Sequence, residues 1–212
     1  MAEATVTARG EAVVPGKPDE GIWVIEVSSL DTSPDAALGD VGERSKELDG
    51  LLDELGVARE KRSSTGVSVR EEFDYADGKQ VHRGYRAQNI LTVRLADATI
   101  AGRMIEGSVA RAKASVRGPT WWIAPDNPAR IEACRQAAAE AKRKAEAYAE
   151  ALGLRLDAVA EIRDSAGNPA IPRPGAGAIA LRAMAETTVE VDPGELNVEA
   201  QVDVTFSLES GG

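Results

Sequence analysis

Apolar and polar residues alternate in several stretches of the chain, and this two-residue period predicts β-strands. The first strand is predicted over residues 5–14 and the second over residues 21–29, where Trp23, Ile25 and Val27 share one face. The last strand, about 195–209, alternates throughout. Its apolar positions are Leu196, Val198, Ala200, Val202, Val204, Phe206 and Leu208. One apolar and one polar face are typical of an antiparallel sheet with one side in water.

The middle of the chain predicts a long hairpin and two further strands. Residues 59–75 and 80–96 are predicted to pair around Asp77 and Gly78, a dipeptide that favours the positive φ angles of a tight hairpin turn. Further strands are predicted at about 115–124 and 156–164.

Three helices are predicted from three- and four-residue spacing and from their end residues. The first begins at Ser33 and ends at Gly56, and the second begins at Asp97 or Thr99. The third begins at Asn127 and ends at Gly153, with glycine suited to the left-handed residue that ends a helix. Its predicted inner positions are Ile131, Cys134, Ala138, Ala141, Ala145, Tyr148, Ala149 and Leu152. Because this face is mostly alanine, the helix is expected to pack closely against its neighbour.

These elements predict an α+β fold in which antiparallel or mixed sheets pack against long amphipathic helices. A weak repetition of strand, helix and strand indicates two intimately packed α/β lobes within a single domain spanning residues 1–212. The expected sub-lobes are about 1–78 and 79–212. Residues 165–183 are rich in glycine and proline and are expected to form a mobile loop that proteases cut near Arg173 or Arg182.

The charge and composition of the chain limit which partners and which cellular location are expected. The net charge is −10 at pH 7, which disfavours nucleic-acid binding and attraction to anionic membranes. No apolar stretch reaches the roughly 20 residues of a membrane span, so no membrane insertion is expected. The N-terminal residues carry no export signal, and the single cysteine cannot form an intramolecular disulfide. We therefore expect a cytoplasmic protein; removal of a signal peptide would instead indicate a periplasmic one.

Several short strings, in order along the chain, resemble the SIMPL-domain family. They are Val-Thr-Ala-Arg-Gly-Glu-Ala (6–12), Pro-Asp (18–19), Leu-Leu-Asp-Glu-Leu-Gly-Val (51–57), Gly-Tyr-Arg-Ala-Gln-Asn (84–89), the alanine-rich run 133–153, Pro-Gly-Glu (193–195) and Val-Asp-Val (202–204). The resemblance covers about residues 6–208. It implies no agreed reaction and no catalytic residues. It also implies that bacterial relatives are often exported to the periplasm or cell envelope, and that some form oligomeric rings.

Few residues of the chain are candidates for catalysis or metal binding. His82, the only histidine, is expected to be a solvated strand residue, and Cys134 is expected to pack on the apolar face of the third helix. Glu71, Glu72, Asp74 and Asp77 form an acidic cluster, interpreted as a charged hairpin that resists edge aggregation. No phosphate-binding glycine motif occurs. The sequence therefore predicts no catalytic residue, no cofactor and no bound metal.

Trp121 and Trp122 are the candidate interface residues. Adjacent strand residues point to opposite faces, so both rings cannot lie in one single-sided core. One is expected in a second packing layer, a subunit interface or a shallow pocket. The sequence thus favours a non-enzymatic, self-assembling binding or scaffold protein, a homo-oligomer without an identified other partner, with a stress-related or envelope role left open. The alternative is a hydrolase that uses two carboxylates in a deep pocket.

Overall fold

The computed structural model describes residues 4–76, 78–164 and 194–210, and every structural statement below concerns these residues. Their elements are β1 (Thr5–Gly16), β2 (Glu20–Asp31), α1 (Pro34–Glu54), a 3₁₀ turn (Arg59–Lys61), β3 (Arg62–Ala76), β4 (Lys79–Leu95), α2 (Ala98–Ala110), β5 (Ser115–Trp122), α3 (Pro128–Ala151), β6 (Leu154–Asp164) and β7 (Leu196–Ser210). The mobile loop expected at 165–183, with Arg173 and Arg182, lies outside the described residues.

The chain divides into two compact units. The described residues of the first unit are 4–19, 123–164 and 194–210, and those of the second are 20–76 and 78–122. These units differ from the expected sub-lobes 1–78 and 79–212. Residue 78 lies between β3 and β4, which pair with each other within the second unit. A division based on chain order therefore misses strand pairing.

The second unit is a four-stranded sheet with two helices on one face. Its strand order is β3-β4-β2-β5, and every neighbouring pair is antiparallel. As predicted, Trp23, Ile25 and Val27 all lie on the buried face. They pack against α1 and α2 in a cluster that includes Val41, Leu48, Leu51, Leu52, Ala101 and Met104.

The ends of these two helices follow the predicted chemistry. Ser33 Oγ accepts the Ala36 N–H at 3.4 Å, and Gly56 follows α1 with a φ of +70°. Asp97, rather than Thr99, precedes α2, and its Oδ1 accepts the Thr99 N–H at 2.8 Å. Each side chain satisfies an N–H that has no partner within the helix, which explains where the helices begin.

The first unit is a three-stranded antiparallel sheet, β1-β7-β6, covered by α3. Alanines four residues apart form the buried face of α3: Ala129, Ala133, Ala137, Ala141, Ala145 and Ala149. The helix lies so close to β1 that a Cβ atom at Gly10 would come within 1.9 Å of the Ala137 carbonyl oxygen. Only small side chains fit between the helix and the sheet.

This close packing corrects the predicted inner face of α3. Ala141, Ala145 and Ala149 are buried as expected, but Ile131, Cys134, Ala138, Tyr148 and Leu152 are exposed. The prediction of a mostly alanine face that permits close approach is confirmed, but the narrow gap excludes the large residues that the prediction also placed on that face. The α+β class, with antiparallel sheets packed on helices, is confirmed.

Candidate interaction surface

Trp121 lies on the helix-covered face of the second unit's sheet. It pairs with Gly21 of β2 and packs against the buried cluster. Its ring meets that of Trp23 edge to face, with centroids 5.9 Å apart. A Cβ atom at position 21 would lie 2.4 Å from the Trp23 ring and 2.9 Å from the Trp121 ring. Gly21 therefore provides the space that lets both indoles share this end of the core.

Trp122 points to the opposite face of the same sheet. The guanidinium carbon of Arg94 lies 5.9 Å from the centroid of its ring, within the range of a cation–π contact. Strand alternation places Ile22 and Val24 of β2 and Ile90 of β4 on this face, and all three are half-buried. Half-buried apolar side chains thus accompany a half-buried tryptophan on the face away from the helices.

The two tryptophans therefore have different surroundings. Trp121 belongs mainly to an intramolecular core, while Trp122 and its Arg94 contact remain partly open to solvent. The geometry narrows the predicted interface residue to Trp122, whose role in an interface stays a prediction.

His82 is exposed on β4, as expected, but it has aromatic neighbours that the sequence did not predict. Its ring lies 5.2 Å from that of Phe73 and 5.3 Å from that of Tyr85, both edge to face. An irregularity in β4 near Gly84, whose φ is +135°, aligns Phe73 with His82. The two-residue alternation gives no sign of such a shift, which is why this group was missed.

The acidic residues of the hairpin contact arginines. Arg86 donates to Glu72, with a distance of 2.7 Å from Nη2 to Oε1, and this hydrogen bond lowers the pKa of Glu72. Oδ2 of Asp74 lies 3.7 Å from Nη1 of Arg83. Asp77 falls outside the described residues. Among the residues described, no group of three or more His, Cys, Asp or Glu side chains is placed to hold a metal ion.

Cys134 is exposed on α3, which corrects the expectation that it packs in the core. It lines a shallow cavity of about 210 Å³ with Pro125, Arg130, Ile131, Val198, Glu199 and Ala200. A second cavity of about 390 Å³, beside the first turn of α3, is lined by Pro15, Gly16, Lys17, Asn127, Pro128, Ala129 and Glu132.

Among the described residues that line these two cavities, Glu199 and Glu132 lie in different cavities, so neither lining contains the two carboxylates that a carboxylate-based hydrolase needs. Hydrogen bonds from arginine lower the pKa values of Asp40 and Asp53. A general acid at neutral pH requires the opposite shift.

None of the helices within the described residues is both long and apolar enough to cross a membrane.

Similar proteins occur in bacteria. The 26 kDa periplasmic immunogenic protein of Brucella melitensis biotype 1 is 26% identical over 216 residues, covering 97% of this chain and 85% of that protein. The uncharacterized protein YggE of Escherichia coli (strain K12) is 24% identical over 205 residues, covering 96% of this chain and 83% of that protein.

The expected cytoplasmic location is contradicted by the name of the Brucella relative, which describes a periplasmic protein. The expectation was wrong because it rested on the first residues of the chain and on the single cysteine, neither of which excludes a periplasmic location. The SIMPL family model, described as a protein of unknown function (DUF541), matches residues 6–206. This match confirms the resemblance carried by the short strings. The chain therefore belongs to the SIMPL family.

Proposed function

We propose that this chain is a non-enzymatic, self-assembling binding or scaffold protein of the bacterial periplasm. The periplasmic location is supported by the name of the Brucella relative. Self-assembly is supported by one observation above all: Trp122 lies half-buried on the face of the sheet away from α1 and α2.

The surroundings of Trp122 favour a contact with a second copy. Tryptophan and arginine are enriched among residues that dominate the binding energy of interfaces. The Arg94 guanidinium lies near the indole ring, and the half-buried Ile22 and Val24 of the neighbouring strand add apolar area on the same face. Removing such area from water stabilises a complex by roughly 25 cal/mol per Å² before the costs of association are subtracted.

The test compares Trp122→Ala with the parent chain by light scattering at tens of micromolar. Truncation of an interface anchor commonly costs 2 kcal/mol or more of association. We therefore expect the Trp122→Ala variant to dissociate while its far-UV circular dichroism spectrum stays native.

Trp121→Ala is the matched control, because it removes the same side chain from the neighbouring position. We expect it to lower the melting temperature, since Trp121 packs on Trp23 in the core. A parent chain that is already monomeric under these conditions contradicts self-assembly. An assembly that survives Trp122→Ala contradicts the assignment of its contact.

A further inference from the structure

The four edge strands of the two sheets differ in how their open side is protected. An edge strand carries unpaired N–H and C=O groups that can accept another strand. On β1, the Glu11 N–H donates to Glu140 of α3 at 2.5 Å, and Lys144 of α3 donates to the Arg9 carbonyl at 3.0 Å. Side chains of the covering helix thus occupy the open side of β1.

The edge strands β5 and β6 are interrupted. β5 spans only Ser115–Trp122 and contains Pro119, which has no N–H to offer. β6 shifts register against β7 at Leu156/Val159 and again at Val159/Glu161. Within the first shift, the Ala158 N–H donates to the Ser207 hydroxyl at 3.1 Å. Neither strand presents a long regular edge.

β3 is the exception among these four edges. It spans Arg62–Ala76. Its pairing with β4 is irregular at two places, but only the one between Ser64 and Val67, beside Gly66 with a φ of +85°, lies in β3 itself. The other comes from the extra residue of β4 near Gly84. From Val67 onward the strand alternates regularly and contains no proline. No other described strand pairs with its outer side. A long, regular open edge of this kind is a template for strand addition.

The side chains of β3 also divide into two unlike faces. One face carries Glu72 and Asp74, which contact Arg86 and Arg83 across the hairpin. The other face carries Val67, Val69, Glu71, Phe73 and Tyr75, all exposed, with Tyr75 reaching 76%. Exposed apolar area concentrated on one side of an edge strand is typical of an interaction site.

Glu71 is the one charged residue among the five that form the apolar face of β3 from Val67 to Tyr75. It lies between Val69 and Phe73, opposite Tyr85 of β4. No arginine or lysine within the described residues forms an ion pair with it, whereas its neighbours Glu72 and Asp74 both have arginine partners. A strand added at this edge would bring its own side chains beside this unpaired carboxylate.

We infer that β3 binds an extended segment of a partner protein by strand addition, and that this segment carries a basic side chain between apolar ones. Backbone hydrogen bonds to β3 supply the affinity, while alternate side chains supply selectivity. The apolar side chains of the segment cover Val69, Phe73 and their neighbours. Its lysine or arginine lies across from Glu71, because opposite charges favour directly facing strand positions.

The test uses a synthetic peptide with blocked ends in which threonine alternates with valine and lysine replaces the central valine. A second peptide carries glutamate in place of that lysine. Fluorescence anisotropy of the labelled peptides measures their binding to the full chain and to Glu71→Lys. Reversal of one cross-strand charge pair changes affinity by roughly two- to fivefold.

We expect the parent chain to prefer the lysine peptide and Glu71→Lys to prefer the glutamate peptide. Glu106→Lys is the matched control, because it makes the same charge change at an exposed position on α2 and should keep the parent preference. Hydrogen exchange of the β3 amides should slow when the lysine peptide binds.

Three results would overturn the inference. The first is no change in anisotropy at millimolar peptide. The second is equal binding of both peptides to the parent chain and to Glu71→Lys, because the charge at position 71 would then not affect which peptide binds. The third is slowed exchange without peptide that grows with protein concentration, because a second copy would then occupy β3. Loss of assembly in Trp122→Ala, with peptide binding intact, would separate this site from the proposed self-assembly surface.

Discussion

The two units bury their helices against their sheets with opposite kinds of side chain. In the second unit, large residues such as Trp23, Leu52 and Met104 fill the space between the sheet and α1 and α2. In the first unit, alanines of α3 face Ala8 and Gly10 of β1. The same layered architecture is therefore stable with a wide gap filled by large side chains and with a narrow gap filled by small ones.

This difference sets how each unit responds to a change in side-chain volume. A core of large residues is sensitive to truncation, because each lost atom removes buried area and leaves a cavity. A core of alanines has little to lose by truncation, but an added side chain has no space to occupy. The two units should thus be vulnerable to opposite substitutions.

The largest effect is expected from Trp23→Ala in the second unit. Trp23 is 1% exposed and contacts Trp121, so its removal leaves a large cavity. We expect a loss of about 3–5 kcal/mol in the free energy of unfolding, measured by urea titration. Val109→Ala, at a position 54% exposed on α2, is the control and should change stability by less than about 0.5 kcal/mol. A small loss in Trp23→Ala would contradict the central place of this ring in the core.

A smaller loss is expected from Ala141→Leu in the first unit. Ala141 is fully buried against the sheet, so three additional carbon atoms force α3 away from β1. Overpacking of this kind costs about 1–3 kcal/mol, again measurable by urea titration.

The control for Ala141→Leu lies on the same helix. Ala139 is exposed, and Ala139→Leu adds the same volume where solvent is available. Its stability should stay close to that of the parent chain. Equal losses in both variants would show that the gap between α3 and the sheet is wider than the structure indicates.

The smallest effect concerns the edge of β1 and depends on pH. The hydrogen bond from the Glu11 N–H, followed by the contact with Lys144, lowers the pKa of Glu140. Because the pKa of Glu140 is lowered in the folded state, its ionised carboxylate stabilises the fold at pH values above the ordinary pKa range of glutamate. That contribution is lost as the pH falls through the lowered pKa.

Glu140→Gln should therefore be less stable than the parent chain near pH 7, and the difference should shrink as thermal melts are repeated at increasingly acidic pH. Glu150→Gln removes the same charge from the exposed end of α3 and is the control. If the difference between Glu140→Gln and the parent grew on acidification, the hydrogen bond to β1 would not be its cause.

The sequence predicted the elements better than their packing. Strand alternation correctly placed Trp23, Ile25 and Val27 inside, and the residues at Ser33, Gly56 and Asp97 correctly marked helix ends. Ile131 and Leu152, however, were assigned to the inside of α3 and are exposed. Hydrophobicity ranks isoleucine and leucine above alanine for burial, but it contains no information about the distance between a helix and a sheet.

For the candidate surfaces, the sequence predicted that Trp121 and Trp122 face opposite ways, because that follows from strand geometry alone. It did not show which ring belongs to the core, since Gly21 and Trp23 come from another strand. Nor did it show that, within the described part of the chain, β3 lies at an edge and Glu71 forms no ion pair with an arginine.

What the sequence determined by itself was local: the type and order of the elements, the faces of single strands, the helix ends and the family. Each depends on residues a few positions apart, where periodicity and capping act. Tertiary structure alone decided the division into two units, which positions of α3 face the sheet, the position of β3 at the edge of the described sheet and the surroundings of each tryptophan. These depend on residues far apart in the chain, such as Gly10 and Ala137, whose approach is set by packing and strand pairing rather than by local propensity.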